Sequence, residues 1–401
     1  MQTAFTRVIS LRITAAATAA LLAFTLGGCT TAPDPPDQQS PTGQASTSPS
    51  PTAPAPAFVP VLERYSELML DAGALSVFIQ IKSRIGEWSK AAGVRSLENR
   101  EPVQLTDQVH IGDVTSAMVA VSVMKLVEEG KVRLDDPITQ YLPELEDVIR
   151  LPGPVSVRSL LNHQSGMPDY WETILGTTPM REVLDKRLSH EERLAVSATR
   201  PWERQGVFKY SGSNYAALAL LVERLRGREI GDVLHTDIAA PLGLQDTLMA
   251  GTDPGPQKMG HGYILLGGNH VDTTLPAIHA GAADHGMVST VPDLNIFFAA
   301  LAQGKLLKAT TVVEMYTLNQ VNREEEYGLG LQQRYDACSN NYYFGHVGDV
   351  PGYATVALTS TDGSRQAALA VALPPASPPP AFNQLVLEML SKALEALNHA
   401  C

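Results

Sequence analysis

From residue 59 onward the apolar and polar positions fall into clear periods. Residues 59–72 carry apolar side chains at helical spacing and predict an amphipathic helix. Residues 75–82 contain Val77-Phe78-Ile79-Gln80-Ile81, which predicts a strand; a turn at 84–87 leads to a second strand around 88–95. Residues 113–129 predict an apolar helix, with Gly130 as its C-terminal cap. Further helices are predicted around 182–198, 213–226, 229–240 and from Pro292-Asp293-Leu294 to about Leu301. The strand pattern resumes at 327–331, 342–347, 354–359 and 367–373, with Asp362-Gly363 as a hairpin turn. After a proline-rich break at 374–380, Phe382, Leu385, Val386, Met389, Leu390, Ala393, Leu394 and Leu397 again follow helical spacing. Strands at both ends with helices between them predict an α/β (α+β) architecture. Residues 58–110 and 325–401 form an α/β lobe, an antiparallel sheet flanked by helices, into which an all-α lobe at 111–324 is inserted. No internal repeat is visible.

The first 57 residues of the 401-residue chain follow none of these periods. Arg7 and Arg12 precede an apolar stretch at 13–26, which predicts a secretory signal peptide over residues 1–28. The run is too short for a transmembrane helix. It ends in Leu26-Gly27-Gly28-Cys29, similar to a bacterial lipobox, so Cys29 is the expected lipidation site and new N-terminus. An ordinary signal peptide with a chance cysteine is the alternative. Residues 29–57 are rich in Pro, Thr, Ser, Gln and Ala and predict an extended tether. The expectation is an extracytoplasmic domain of about 340 residues, held at the cell membrane by its lipid.

The net charge is −12, and losing Arg7 and Arg12 with the leader moves it to −14. That acidity argues against nucleic acid as a partner. Besides Cys29, only Cys338 and Cys401 remain, either as a disulfide or as two free thiols. No spacing suggests a metal site, and no cofactor is expected.

The chemistry concentrates at residues 109–130, V-H-I-G-D-V-T-S-A-M-V-A-V-S-V-M-K-L-V-E-E-G, followed by Lys131-Val132-Arg133-Leu134-Asp135-Asp136-Pro137. This segment resembles the nucleophile helix of the penicillin-recognising serine hydrolases: class C-like β-lactamases, DD-carboxypeptidases and related esterases. Those proteins carry Ile-Gly-Ser-x-x-Lys here. In this chain Asp113 stands at the Ser position and Ser116 at the Lys position. A serine hydroxyl needs an adjacent base, and one helical turn would place Ser and Lys on the same face. A carboxylate and a hydroxyl keep that spacing and lose both roles, leaving Asp113 expected mainly as a helix N-cap. Ser122-Val123-Met124-Lys125 matches Ser-x-x-Lys by pattern. It lies nine residues further on, about half a turn out of phase, so Ser122 is expected to be buried and Lys125 solvated or snorkelling.

Three more segments carry the resemblance. Leu160-Leu161-Asn162-His163-Gln164-Ser165-Gly166 matches a structural turn, with His163 expected to be structural. Tyr210-Ser211-Gly212 matches the family's Tyr-x-Asn, with Tyr210 at the proton-shuttling position, Gly212 replacing the Asn, and Asn214 as a candidate to reach in. His346-Val347-Gly348 matches the His-x-Gly strand at the cleft border. The resemblance implies that His346 faces the cleft and that Gly348 leaves room for a ligand. It also implies that the N–H groups of Asp113 and Asp349 form an oxyanion hole. The substitutions, with Asp349 and Asp169, make the cleft more negative, and Lys209 is expected to offset part of that. The cleft residues are therefore Asp113, Ser116, Tyr210, Gly212, Asn214, His346, Gly348 and Asp349.

The expected function is non-catalytic: binding a peptidoglycan-related or small-molecule ligand, or scaffolding, at the cell envelope. The alternatives are a hydrolase with a reorganised site built on Tyr210 and His346, and a structural lipoprotein with a relic cleft.

Overall fold

A computed structural model describes residues 58–252, 254–318, 326–376 and 380–398. The signal, tether and Cys29 expectations lie outside the described residues, as does Cys401. Cys338 is disulfide-bonded.

Among the described residues the α-helices are α1 Val59–Asp71, α2 Val114–Glu128, α3 Leu145–Ile149, α4 Val157–Leu161, α5 Tyr170–Leu175, α6 Met180–Leu184, α7 His190–Ser197, α8 Gly212–Arg226, α9 Ile230–Leu234, α10 Ala240–Leu242, α11 Val291–Ala302, α12 Ala309–Tyr316 and α13 Pro380–Asn398. The strands are β1 Ser76–Ser83, β2 Gly86–Gly93, β3 Val109–His110, β4 Leu248–Met249, β5 Tyr263–Leu266, β6 Asn269–Asp272, β7 Met287–Ser289, β8 Gln332–Asp336, β9 Asn341–Val350, β10 Tyr353–Ser360 and β11 Gln366–Ala372.

Six strands form one antiparallel sheet in the order β2-β1-β11-β10-β9-β8. Alternation along β1 explains how it is covered on both faces. Val77, Ile79 and Ile81 pack under α1 and α13, together with Leu62, Met69, Phe382 and Met389. Phe78 points the other way, into the larger core that α2 and the helical region share. Helix α2 is buried from Val114 to Met124 and again at Leu126, which explains its lack of a polar stripe. It ends as expected, with Gly130 in the left-handed conformation at φ 71° just past the cap. Helix α11 lies within the segment assigned to the all-α lobe, yet it packs on the sheet. Its Asn295 Nδ2 donates to Gln80 O and Gln80 Oε1, at 3.2 and 2.9 Å.

Several elements differ from expectation. The strand expected at 327–331 is a turn: Leu329 N–H bonds Met315 O, and Gly328 sits so close to Met315 O that a Cβ would come within 2.1 Å. β8 therefore starts only at Gln332. The helix expected at 229–240 is broken by a π-helical stretch, His235–Ala239. The one expected at 182–198 is two helices, because Ser189 starts α7 with a complete capping box. Hairpin β5–β6 and the small sheet β3-β7-β4 carry no counterpart in the predicted elements. Among the described residues no helix is long and apolar enough to cross a membrane.

Candidate active site

The cleft forms where the N-terminus of α2 meets the end of β9. Gly348 and Gly112 allow the approach. A Cβ on Gly348 would stand 2.1 Å from Ile111 O and 2.6 Å from the Asp113 nitrogen, and one on Gly112 would stand 2.7 Å from the Asp349 nitrogen. Two backbone N–H groups are thereby brought to one corner, the arrangement expected of an oxyanion hole.

Asp113 occupies that corner itself. It holds the N-cap position of α2, but its own backbone is helical and its side chain caps no N–H. The capping role expected of its side chain is therefore corrected. Its Oδ1 accepts the Tyr210 hydroxyl at 2.6 Å, and its Oδ2 accepts the Asp349 N–H at 3.3 Å. One carboxylate thereby satisfies a phenol hydroxyl and a backbone N–H that would otherwise each need another acceptor.

Ser116 lies one turn on, fully buried, and donates to the backbone oxygen of Asp284 at 3.3 Å. It has no contact with Asp113 that would activate a nucleophile. Ser122 is also fully buried, without a hydrogen-bond partner for its hydroxyl, and Lys125 is half-buried.

Gly212 opens α8, and its N–H donates to Asp169 Oδ2 at 2.8 Å. The space where its side chain would project holds the carboxylate of Asp284: a Cβ there would meet Oδ2 at 2.1 Å. Asp284 also accepts the Tyr170 hydroxyl at 3.0 Å and pairs with His285 Nδ1 at 2.9 Å. Buried Arg193 completes the group by donating to the same Tyr170 hydroxyl at 3.1 Å. The loop carrying Asp284 is tied to α2, because Met287 N–H bonds Thr115 Oγ1 at 3.1 Å. Sequence reasoning missed Asp284, Tyr170, His285 and Arg193. They come from three separate stretches of the chain, around 170, 193 and 284–285, and show no local pattern that joins them.

Asn214 does not reach into the cleft. Its Nδ2 donates to His163 Nδ1 at 3.0 Å and its Oδ1 accepts Ser165 Oγ at 2.6 Å. His163 Nδ1 also receives the Ser211 N–H at 3.2 Å, so it is an acceptor and the ring proton sits on Nε2. From there it reaches the Tyr327 hydroxyl at 3.3 Å, and that hydroxyl reaches His346 Nε2 at 3.0 Å. His346 Nδ1 bonds Val347 O. His346 shares the strand face of Gly348, but Tyr327 covers it and it is only 1% exposed. The expectation that His346 faces the cleft is corrected: it stands behind it. The expectation for His163 agrees with its place, since its ring packs 4.3 Å from Tyr210 and carries the loop bearing that residue. Lys209 does not offset the cleft charge; it is exposed and pairs with Glu203 at 2.7 Å.

Four carboxylates thus gather at the site, and their environments separate them. Burial, and then the charge of neighbouring acids, raises Asp113 to about 7 despite the Tyr210 bond. Burial and the Asp113 charge raise Asp349 to about 8. Burial raises Asp169 to about 6. For Asp284 burial acts in the same direction, but His285 and Arg193 outweigh it and hold the carboxyl below its ordinary value. Behind them burial lowers His163 to about 3 and His346 to about 4, so neither carries charge at neutral pH. Among the described residues no cluster of His, Cys, Asp or Glu is placed to hold a metal ion.

A family model for β-lactamase matches residues 71–387. A penicillin-binding protein of Bacillus subtilis is 22% identical over 284 residues, 67% of this chain and 62% of its own. The chain thus spans about three fifths of that relative's length. The teichoic acid D-alanine hydrolase of Staphylococcus aureus is 22% identical over 71% of this chain and 68% of its own. Among solved structures, a D-stereospecific amidohydrolase from Streptomyces sp. superposes with a TM-score of 0.70 at 26% identity, over 82% of this chain and 98% of that one.

Proposed function

The chain belongs to the β-lactamase family, and from that premise we propose that it is a non-catalytic binding or scaffolding protein of the cell envelope, anchored by a lipid on Cys29. One observation carries the reading. The Asp113 carboxylate takes both the Tyr210 hydroxyl and the Asp349 N–H. In the family's arrangement, as the resemblance implies it, the first serves proton transfer and the second stabilises the oxyanion. Here both are consumed by a side chain that is a poor nucleophile toward amides, with no lysine at the position of Ser116 to act as base. A carbonyl oxygen entering the corner would have to displace a carboxylate from its own hydrogen bonds.

A second reading is a hydrolase with a reorganised site. It is favoured by relatives whose names are those of hydrolases. The two are separated by turnover of nitrocefin and a p-nitrophenyl ester in the wild type, D113S, S116K and the double variant. Activity in the double variant alone supports a closed acyl-transfer centre. Equal activity in all four supports the reorganised hydrolase. Rescue is expected to be weak, because nucleophile and base act as a unit and need tight geometry. A lysine at 116 would also enter a fully buried position beside Asp284.

The anchoring has its own test. Cys29→Ala should move the protein from the membrane fraction to the soluble or secreted one, and a variant that stays membrane-bound after signal cleavage contradicts the lipid.

A further inference from the structure

Beside the cleft, three histidines pack ring against ring in the interior. His110 ends β3, His279 ends the short 3-10 turn Ala277–His279, and His285 follows Asp284. The rings of His110 and His279 lie 4.8 Å apart centre to centre, as do those of His279 and His285. All three are buried, the first two completely. Neither ring nitrogen of His110 or of His279 has a hydrogen-bond partner. Backbone groups of Thr274 and Met287 approach the His110 ring and favour its charged form, but neither completes a hydrogen bond. Unpaired buried polar atoms are rare in native proteins, and four in one contact call for a reason.

Such a pair is tolerated as two neutral aromatic bodies and is costly as a cation. The groups around it supply no free counter-charge. Arg193 from α7 and His285 add like charge to His279. Tyr170 from α5 stacks on His285, and Tyr353 from β10 lies 5.7 Å from His110; both are phenols. Asp284 is engaged by His285 and the Tyr170 hydroxyl. Asp113, Asp169 and Asp349, with values of about 7, 6 and 8, are largely protonated by pH 5. Burial, ahead of the like charges, lowers His110 to about 4 and holds His279 well below its ordinary value. An opened state therefore binds more protons than the closed one. The advantage of the closed state is full above about 6.5 and is lost as pH falls toward 4.

His279 belongs to the segment 276–287, which lies over His110 and borders the cleft. Arg193 Nη2 donates to Ile278 O at 3.0 Å, and Gly281 N–H to Ala250 O at 3.0 Å. Further on, the Asp284 backbone oxygen accepts Ser116 Oγ, and its carboxylate fills the space beside Gly212. We propose that the stacked imidazoles of His110 and His279 are an acid-sensitive latch on this segment, closed at neutral pH and released in a mildly acidic compartment. Release withdraws Asp284 from Gly212 and Ser116 and opens the side of the cleft. Asp113 and Asp349 stay in place, because α2 and β9 carry them. The latch rests on the reading of the cleft as a binding site only for what its opening would serve.

Hydrogen exchange of the full-length protein at pH 7 and pH 5, corrected for the intrinsic rate, tests it without regard to what the cleft binds or turns over. Protection of 276–287 should fall about tenfold or more at pH 5, since the His110 shift alone gives roughly twentyfold. Strands β10 and β11 should keep theirs, and the loss should reverse on return to pH 7. H279Q, which cannot take up a proton there, should reduce the pH effect to about threefold or less; H110Q carries the same test if H279Q does not fold. H235A, at an exposed histidine, should behave as wild type. Unchanged protection of 276–287 at pH 5, equal loss across β10 and β11, or the full pH effect in a folded H279Q or H110Q would overturn the proposal.

Discussion

The front of the cleft and the layer directly behind it are built on opposite terms. Behind, His163, Ser165, Asn214, Tyr327 and His346 form a connected neutral network, with each histidine's tautomer fixed by its neighbours. In front, Asp113, Asp169, Asp284 and Asp349 crowd carboxylates together, and burial pushes three of them up toward neutrality. The rear holds the loops in place and tolerates no loose ends. The front carries acids that a fold selected only for stability would not collect. The side chains at the mouth are thus set apart chemically from the neutral layer that supports them.

The contrast breaks most visibly from behind. His163→Ala should cost roughly 2–5 kcal/mol, because it strips an acceptor from two buried donors and opens a cavity. Denaturant unfolding measures it, and a loss below about 1 kcal/mol would mean the rear network does not support the loop.

Gly212→Ala should have the next largest effect, about 1–3 kcal/mol, since the new methyl meets the Asp284 carboxylate at 2.1 Å. Asp284→Ala in the same background should recover part of that loss if the clash is its cause. A double-mutant cycle reads the coupling.

The smallest expected effect lies at the front and depends on pH. Asp113 and Asp349 have folded-state values above their unfolded ones, so the native state binds more protons than the unfolded state. Their contribution is fully present below the unfolded value near 4 and is lost as pH rises through about 7 to 8. Thermal stability should fall by a few degrees between pH 6 and 9. In Asp113→Asn that slope should flatten, and an unchanged slope would show that the pair is not strained.

Much of this was legible in the chain, for reasons that differ by element. Val77, Ile79 and Ile81 announced β1 because alternation is a local property, and Gly130 announced the end of α2 because only glycine takes that backbone readily. Hairpin β5–β6 had a signal that went unused, the two-residue turn Gly267-Gly268 between alternating positions. The front of the site was half legible. Asp113, Tyr210 and Gly348 lie together as their motifs suggested. Asp284 was not legible, because nothing in the sequence tells that its carboxylate fills the space beside Gly212, 72 residues earlier. His346 stood at the right register, but its cover by Tyr327 is a matter of packing that periodicity cannot express.

The central claim is that the corner built for an acyl transfer is closed by the protein's own carboxylate. Intact-mass spectrometry of the wild-type protein after incubation with excess penicillin, and separately with a fluorophosphonate, tests it most directly. The account predicts an unmodified mass in both cases. A stable, stoichiometric adduct on any serine would contradict it, and an adduct on Ser122 would also mean that the fully buried face of α2 can reach the cleft.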